Sequence, residues 1–419
     1  RRGATQIVKT THIRDYWGLT HEGRWSFGNT TLSLYGERGT QKQWTAKTQT
    51  SVTPRISNIV LEAKATIPWA SGSNVLTFGA QHTWSRLSGA GRQDVVPTGY
   101  AINSDNIRRN TWALFAENDY YAHPKFTLTA GVRLDHDAHY GSHISPRIYG
   151  VYQVSPEWTL RGGISSGFKA PTLRQSTAGY CMTTGGQVGA VRGTLCGNPG
   201  LKPETSVTQE LGLRYDKDGN HAGVTLFNNA FKNMVTSYDT TRPDPRSRGR
   251  NIYIYDNISR VKLYGLEVAA GWQVAPDIRL AGSYTLTYSR RGRGGETAFD
   301  GSSLQGYALD KTPRHKLNAQ VDWTPLPQLN LYAAANYSSK QHWAAFRNSA
   351  AGERTRPGSA TFDIGGKWKI HKNVDLSFAL LNVGNKMVPV DDRGRSDGLS
   401  GNWQVDEGRR LAVNLRARF

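Results

Sequence analysis

Apolar and polar residues alternate one by one along nearly the whole chain. Near the C-terminus Leu411, Val413, Leu415, Ala417 and Phe419 fall on one face of an extended segment, with Ala412, Asn414, Arg416 and Arg418 on the other. The same split separates Leu317, Ala319, Val321 and Trp323 from Asn318, Gln320 and Asp322. It also separates Phe126, Leu128, Ala130, Val132 and Leu134 from Thr127, Thr129, Gly131, Arg133 and Asp135. No sustained helical period competes. Such runs predict about seventeen strands, many of ~9 to 15 residues, long enough for a tilted strand to cross a bilayer.

The connections carry as much information as the strands. Tight turns are expected at 20–24, 70–74, 122–125, 155–157, 217–220, 275–277, 325–328 and 371–373. Long polar loops are expected between them, at 89–106, 169–204, 238–250, 291–310, 344–358 and 384–407. Short turns at one end and long loops at the other describe an all-β, transmembrane antiparallel β-barrel with periplasmic turns and extracellular loops. Trp69, Trp158, Trp272, Trp323 and Trp368 flank the turns, where an interfacial girdle sits. The expected strands are antiparallel only, with Leu411, Val413 and Leu415 facing lipid and Asn414 and Arg416 facing the lumen. On this orientation the last strand runs inward and the C-terminus is periplasmic.

Composition agrees with this reading. Hydrophobic residues are 37% of 419, and no run of apolar residues could form a spanning helix. Gly (45), Tyr (19) and Trp (12) run high, as in barrels where only alternate residues meet lipid. No linker or repeat divides the chain. It opens on Arg1-Arg2-Gly3-Ala4-Thr5, and an odd strand count leaves a sheet unclosed, so the chain reads as a piece of a longer protein. An excess of 52 Lys+Arg over 32 Asp+Glu implies an anionic partner: nucleic acid, a membrane surface or a small ligand. The two cysteines, Cys181 and Cys196, share one Gly/Thr-rich segment and point to a disulfide and an oxidising compartment, the alternative being two unrelated thiols.

The segment Gly167-Phe168-Lys169-Ala170-Pro171-Thr172-Leu173, followed by Asn198-Pro199-Gly200-Leu201-Lys202-Pro203-Glu204-Thr205-Ser206, resembles the paired signatures of TonB-dependent outer-membrane receptors. Further matches are Val261-Lys262-Leu263-Tyr264-Gly265-Leu266-Glu267, Thr312-Pro313-Arg314-His315-Lys316-Leu317, Leu381-Asn382-Val383-Gly384-Asn385-Lys386 and the closing strand with Phe419. Within that family the chain is most similar to catecholate-type ferric siderophore receptors, the ferric enterobactin group, and a cysteine pair between the two signatures suits that subgroup. The resemblance implies a barrel of ~22 strands with a plugged lumen. Residues 1–419 would then be the C-terminal part of the barrel, with the N-terminal plug, the energy-coupling segment and the first strands elsewhere. It implies a Gram-negative outer-membrane location, a ferric siderophore as transported ligand with no covalently bound cofactor, and the TonB energy-coupling complex as partner.

Arginines cluster in the loops. Arg242, Arg246, Arg248 and Arg250 share one, Arg290, Arg291 and Arg293 the next, and Arg347, Arg354 and Arg356 another; Arg393 and Arg395 lie in the last. Tyr180, Tyr238, Trp343, Phe346 and Trp403 accompany them. Ferric catecholates are anionic and aromatic, which suits guanidinium planes and ring faces. Capture is expected to use some of Arg242, Arg246, Arg248, Arg250, Arg290, Arg291 and Arg347 with Tyr180 or Phe346. The competing reading is that these arginines meet lipopolysaccharide phosphates or are simply solvated. Prolines of the two signatures end strands and set loop geometry, so the signatures are expected to be structural. His136, His139 and His143 with Asp135 and Asp137 have spacing that could hold a metal, but such residues at a strand end are usually solvated polar groups, and none is expected.

Catalysis finds no support: there is no nucleotide-binding loop, no Gly-x-Ser-x-Gly elbow and no zinc-helix motif. Three rivals stay open. The same fold could carry haem, cobalamin or a sugar; a porin would need no plug; a soluble basic β-protein would bind nucleic acid, a partner the receptor reading excludes.

Overall fold

The computed structural model describes residues 8–45, 48–49, 54–89, 106–184, 193–244, 251–292, 303–343, 354–387 and 408–418. These contain 22 strands and one turn of helix, Leu173–Ser176. Seventeen strands span eight residues or more, and five span two to four. Twenty belong to one sheet, and Gln341–Trp343 pairs with Arg354–Arg356 as a separate ribbon. The chain divides into two compact units.

The first unit comprises Arg1–Gly150, Ile164–Val207 and Phe231–Ser259. Its strands Val8–Trp25, Gly28–Thr45, Arg55–Trp69, Asn74–Ser88, Asn106–His123 and Phe126–Asp137 each pair antiparallel with the next. One face carries Ile59, Leu61, Phe78, Trp84, Trp112, Leu114 and Val132, all exposed large hydrophobics. The other carries a polar ladder in which Gln81 donates to Glu62, and Arg133 bonds Gln81 and Asp135 at 2.9 to 3.1 Å.

The second unit comprises Val151–Gly163, Thr208–Ala230 and Arg260–Phe419. Cross-strand pairs share a face, so register alone traces its apolar surface: Trp272↔Leu280, Leu280↔Val321, Val321↔Ala333, Ala333↔Ile364, Ile364↔Leu380 and Leu380↔Leu411. Leu411, Val413 and Leu415 stay 63 to 74% exposed. A water-facing sheet would not present such a continuous apolar surface, whereas a lipid-facing one requires it. Asn414 and Arg416 fall on the opposite face, paired with Ser377 and Asp375. Trp69 in the first unit and Trp158, Trp272, Trp323 and Trp368 in the second stand beside the tight turns, each 41 to 51% exposed.

Three expectations fail. The turn placed at 20–24 lies instead at Ser26 and Phe27, where the ladder closes on Trp25↔Gly28. Gly23 is not a turn glycine: a Cβ there would stand 2.4 Å from the Trp25 indole nitrogen, so the ring's position demands it. The strands are also not antiparallel throughout, because Thr194, Leu195 and Cys196 pair parallel with Ile252, Tyr253 and Ile254. That pairing arises where a loop hairpin folds back on the end of a long strand. The strand Asn220–Pro243 likewise extends into the expected loop 238–250. The three residues 138–140 make a short connection between Phe126–Asp137 and Gly141–Gln153.

The two faces predict opposite responses to charge. Ile364→Arg should destabilise the protein in lipid by about 2 to 4 kcal/mol in urea titrations, and Thr361→Arg, on the polar face, by less than about 1 kcal/mol.

Candidate functional site

The paired signatures meet at the long-loop end of the first unit. Lys169 ends the strand Trp158–Lys169 and Glu204 opens the strand Glu204–Lys217, and Nζ of Lys169 lies 2.8 Å from Oε2 of Glu204. Glu204 also accepts from the Val235 amide through Oε1 at 2.7 Å. The chain between them starts as a strand end, since Pro171 has no N–H for a ladder. Thr172 then caps the single helical turn: Gln175 N–H donates to its Oγ1 at 3.3 Å, and its own N–H donates to Gln175 Oε1 at 2.9 Å.

A buried ion pair fixes this turn to the sheet. Arg109 stands on the polar face opposite Ser85, and Asp137 stands on the same face opposite Thr111. Their side chains are 13% and 2% exposed, with Nε of Arg109 3.6 Å from Oδ2 of Asp137. The guanidinium also donates to the Pro171 carbonyl at 2.5 Å and to Ser176 Oγ at 2.7 Å. Asp137 accepts from the amides of His139 and Tyr140 at 2.8 and 3.2 Å, which folds the short connection 138–140. The Arg109 guanidinium lies 5.5 Å from the Tyr140 ring centroid, and burial pushes the Tyr140 phenol pKa up.

Beyond the turn, Cys181 and Cys196 are disulfide-bonded, as the sequence led us to expect. They bury themselves with Ile252 under the hairpin Cys181–Thr184 and Gly193–Cys196. Thr194 Oγ1 donates to Asp244 at 2.6 Å, and the Gly197 amide donates to the Tyr180 carbonyl at 2.8 Å. Any Cβ at position 197 would meet the Thr177 carbonyl at 2.1 Å, so the close approach admits only glycine. Asn198 donates to the Tyr255 carbonyl at 2.8 Å, and Asn257 exchanges bonds with Lys202 at 2.8 and 3.0 Å. These contacts give both signatures a loop-holding role.

Among the residues expected to bind ligand, Tyr180 lies within electrostatic reach of Arg174 and Tyr255, and burial pushes its phenol pKa up, so the hydroxyl remains protonated at neutral pH. Arg174 is exposed and reaches the Tyr255 hydroxyl at 3.4 Å. Arg242 is exposed at the end of Asn220–Pro243. In the second unit Arg291 is 4% exposed and holds the loop through the Ala308 carbonyl and through Asp310 at 3.0 Å. Arg290 pairs with Lys262 on the apolar face. Arg246, Arg248, Arg250, Phe346 and Arg347 lie outside the described residues. A cavity of about 910 Å³ in the second unit is lined by Tyr288, Tyr307, Arg314, His315, Tyr337 and Lys340, among others.

The three histidines do not converge. His136 bonds Ser142 Oγ at 2.9 Å, His139 reaches the Pro199 carbonyl at 3.3 Å, and His143 stacks on Phe168. Arg109, Arg174 and Tyr255 were not singled out from the sequence. Arg174 lies directly after the first signature, which was a usable signal, whereas Arg109 and Tyr255 join the site only through folding.

A family model described as TonB dependent receptor-like, beta-barrel, matches residues 3–383. The chain is 30% identical to an iron-regulated outer membrane virulence protein of Vibrio cholerae, over 100% of this chain and 59% of that one. It is 27% identical to a ferric enterobactin receptor of Pseudomonas aeruginosa, covering 97% and 58%. The chain thus spans under three fifths of these curated relatives. Among solved structures, a mutant of the P. aeruginosa ferric enterobactin receptor in complex with enterobactin aligns with TM-score 0.80 and 24% identity, over 98% and 63%. The siderophore receptor PirA of Acinetobacter baumannii aligns with TM-score 0.78 and 22% identity, over 98% and 63%. These likenesses show the barrel fold.

Asp137→Ala would strand a buried guanidinium. It should lower local stability by about 3 kcal/mol, read as faster amide hydrogen exchange at Gln175 and Ser176 with protection of the neighbouring strands unchanged.

Proposed function

The chain belongs to the TonB-dependent receptor-like β-barrel family, and from that premise we propose that it serves in the uptake of a ferric siderophore of catecholate type across the outer membrane. The observation that carries this reading is the family match over residues 3–383, joined by relatives that include ferric enterobactin receptors. The chemistry at the loop end supports it. Tyr180 holds a half-buried phenol near the exposed Arg174, whose guanidinium reaches the hydroxyl of the buried Tyr255, and Arg242 adds a second cation in the same unit. A ferric tris-catecholate is a trianion with aromatic edges, so guanidinium groups and phenols complement both its charge and its planes.

In this reading the long loops are extracellular, the tight turns and the C-terminus are periplasmic, and the iron stays with its siderophore. Capture at the loop end precedes passage through the lumen. Energy comes from the TonB complex acting on a plug, and the polar ladder of Glu62, Gln81 and Arg133 offers the plug its hydrogen-bonding wall. The loop-holding bonds of Arg109, Glu204 and Asn257 keep the mouth in shape while cargo exchanges.

Growth of an iron-starved strain that depends on the full-length gene tests the cargo. Ferric catecholates supplied one at a time should restore growth, and hydroxamates or haem should not; rescue by haem alone would move the protein to another cargo class. Arg174→Ala should weaken ferric catecholate binding by about 1 to 3 kcal/mol, roughly ten- to a hundredfold, with heat-modifiable gel migration retained.

A further inference from the structure

The polar face of the second unit carries its charges unevenly, and register gives the rows. Glu267, Thr285, Lys316 and Ser338 make one row, in which the opposite charges balance. Ser283, Asn318, Asn336 and Thr361 make another, without charge. In a third, Arg279 stands directly opposite Asp322. Asp363, on a row between the second and the third, accepts from the Asn336 side chain at 3.2 Å and from the Asn382 amide at 2.7 Å. Over this stretch the wall is close to neutral.

At the tight-turn end the balance is lost. Asp375 lies directly opposite Lys369 on one neighbouring strand and Arg416 on the other. Its carboxylate is also 3.9 Å from Lys367 Nζ and 4.0 Å from a guanidinium nitrogen of Arg418, the outer limit of an ion pair. Four cations thus share one carboxylate, and among the described residues three positive charges stay unmatched. The Asp375 side chain is 17% exposed against 61% for Lys367 and Arg418, so the surface presents the cations and not the acid. One row away Tyr332 lies across Gly365, where a Cβ would stand 2.7 Å from the ring, and Gly365 precedes Lys367 by two residues on the same face. The side chains around this ring and these cations, Ser377, Ala379, Ala412 and Asn414, are short and leave room above the sheet. Like charges gathered on one face repel. An anion with an aromatic surface would offset that repulsion and fit beside the ring.

We propose that Lys367, Lys369, Arg416 and Arg418, with the ring of Tyr332, form an exit station that holds the anionic cargo before it leaves the lumen at the tight-turn end. The inference deepens the reading above and rests on it, both for a ferric catecholate as cargo and for periplasmic turns. Three unmatched positive charges meet a trianion, and guanidinium groups with a phenol ring suit its aromatic edges. The wall between the loops and this cluster is balanced or uncharged, so it offers no comparable hold. Charge concentrated at the exit raises the occupancy of cargo there, on the side from which it is released. Asp375 keeps the cations in place by standing between Lys369 and Arg416, without cancelling them.

The test uses the full-length receptor in iron-starved cells, with a radio-iron-labelled ferric tris-catecholate as probe and two readouts. Binding to energy-poisoned cells reads capture at the loops, and the initial rate of uptake by energised cells at saturating probe reads passage. The quadruple variant Lys367→Gln, Lys369→Gln, Arg416→Gln, Arg418→Gln should bind within about twofold of wild type and take up the probe about fivefold more slowly or worse. Lys367→Gln with Lys369→Gln, a milder change should the quadruple variant fail to assemble, should slow uptake about twofold or more, and Lys367→Arg with Lys369→Arg should keep it within about 1.5-fold. Asp375→Asn removes the acid and leaves the cations, so its uptake should stay at the wild-type rate or above; a cluster that merely braces the sheet would be hurt as much by this change as by loss of the cations. Heat-modifiable migration checks assembly of each variant. Unchanged uptake in the quadruple and double variants, slow uptake in Asp375→Asn, or binding lost in step with uptake would overturn the exit station while the cargo reading stands. Wild-type cells that bind no ferric catecholate would overturn the cargo reading, and the station with it.

Discussion

In a hydrocarbon layer no water can satisfy a backbone N–H or C=O, and each one left unpaired costs several kcal/mol. The whole architecture follows from meeting that demand with ladders between strands. Register is then the controlling variable, because a slip of one residue would turn every Leu411-type side chain inward and every Arg416-type side chain outward. The pairings Leu380↔Leu411 and Asp375↔Arg416 show both faces kept in step. Departures from regular pairing, such as the shifts between Gln273 and Ala275 or between Trp323 and Leu326, sit at the tight-turn end, where water is available again.

Packing in the ordinary sense is sparse: in the second unit Val261 and Leu304 are 1% and 0% exposed, and a buried cluster lies at the loop end of the first unit. There Cys181, Cys196 and Ile252 are buried together, with Leu195, Leu201 and Tyr253 also 3 to 5% exposed. A barrel wall one sheet thick has little interior of its own, so loop stability has to come from a disulfide, a buried ion pair and side-chain bonds to backbone. Arg109 joins these sources: one guanidinium serves Asp137 at a strand end and both Pro171 and Ser176 in the capped turn. A charged group this buried is tolerable only because its donors are used.

Much of this was legible in the sequence because it is local. Period-two alternation, turn composition and the girdle tryptophans each act within a few residues, and seven of the eight expected turns lie where Gly, Pro, Asn or Asp placed them. Gly23 misled because a glycine required by a neighbouring ring looks the same in sequence as one required by a turn. The parallel pairing of Thr194 to Cys196 with Ile252 to Ile254, and the meeting of Arg174 with Tyr255, join residues more than fifty positions apart. Nothing in a single sequence marks them. Arg290 shows a subtler limit: it belongs to the strand Ile278–Arg291 and not to the loop expected for it, and its face is set by Lys262 across the ladder.

The ion pair between Lys169 and Glu204 closes the base of the segment it brackets. Since both ends are tied at the sheet, lengthening the stretch between them costs only about 0.6 kcal/mol for each doubling of loop length. The bracketed segment, with its internal disulfide, is thus a cassette: insertions, deletions or wholesale exchange within it need not disturb the registers on either side. Receptors built on this plan can diversify what they recognise, or escape what recognises them, by changing the cassette while the wall is inherited unchanged.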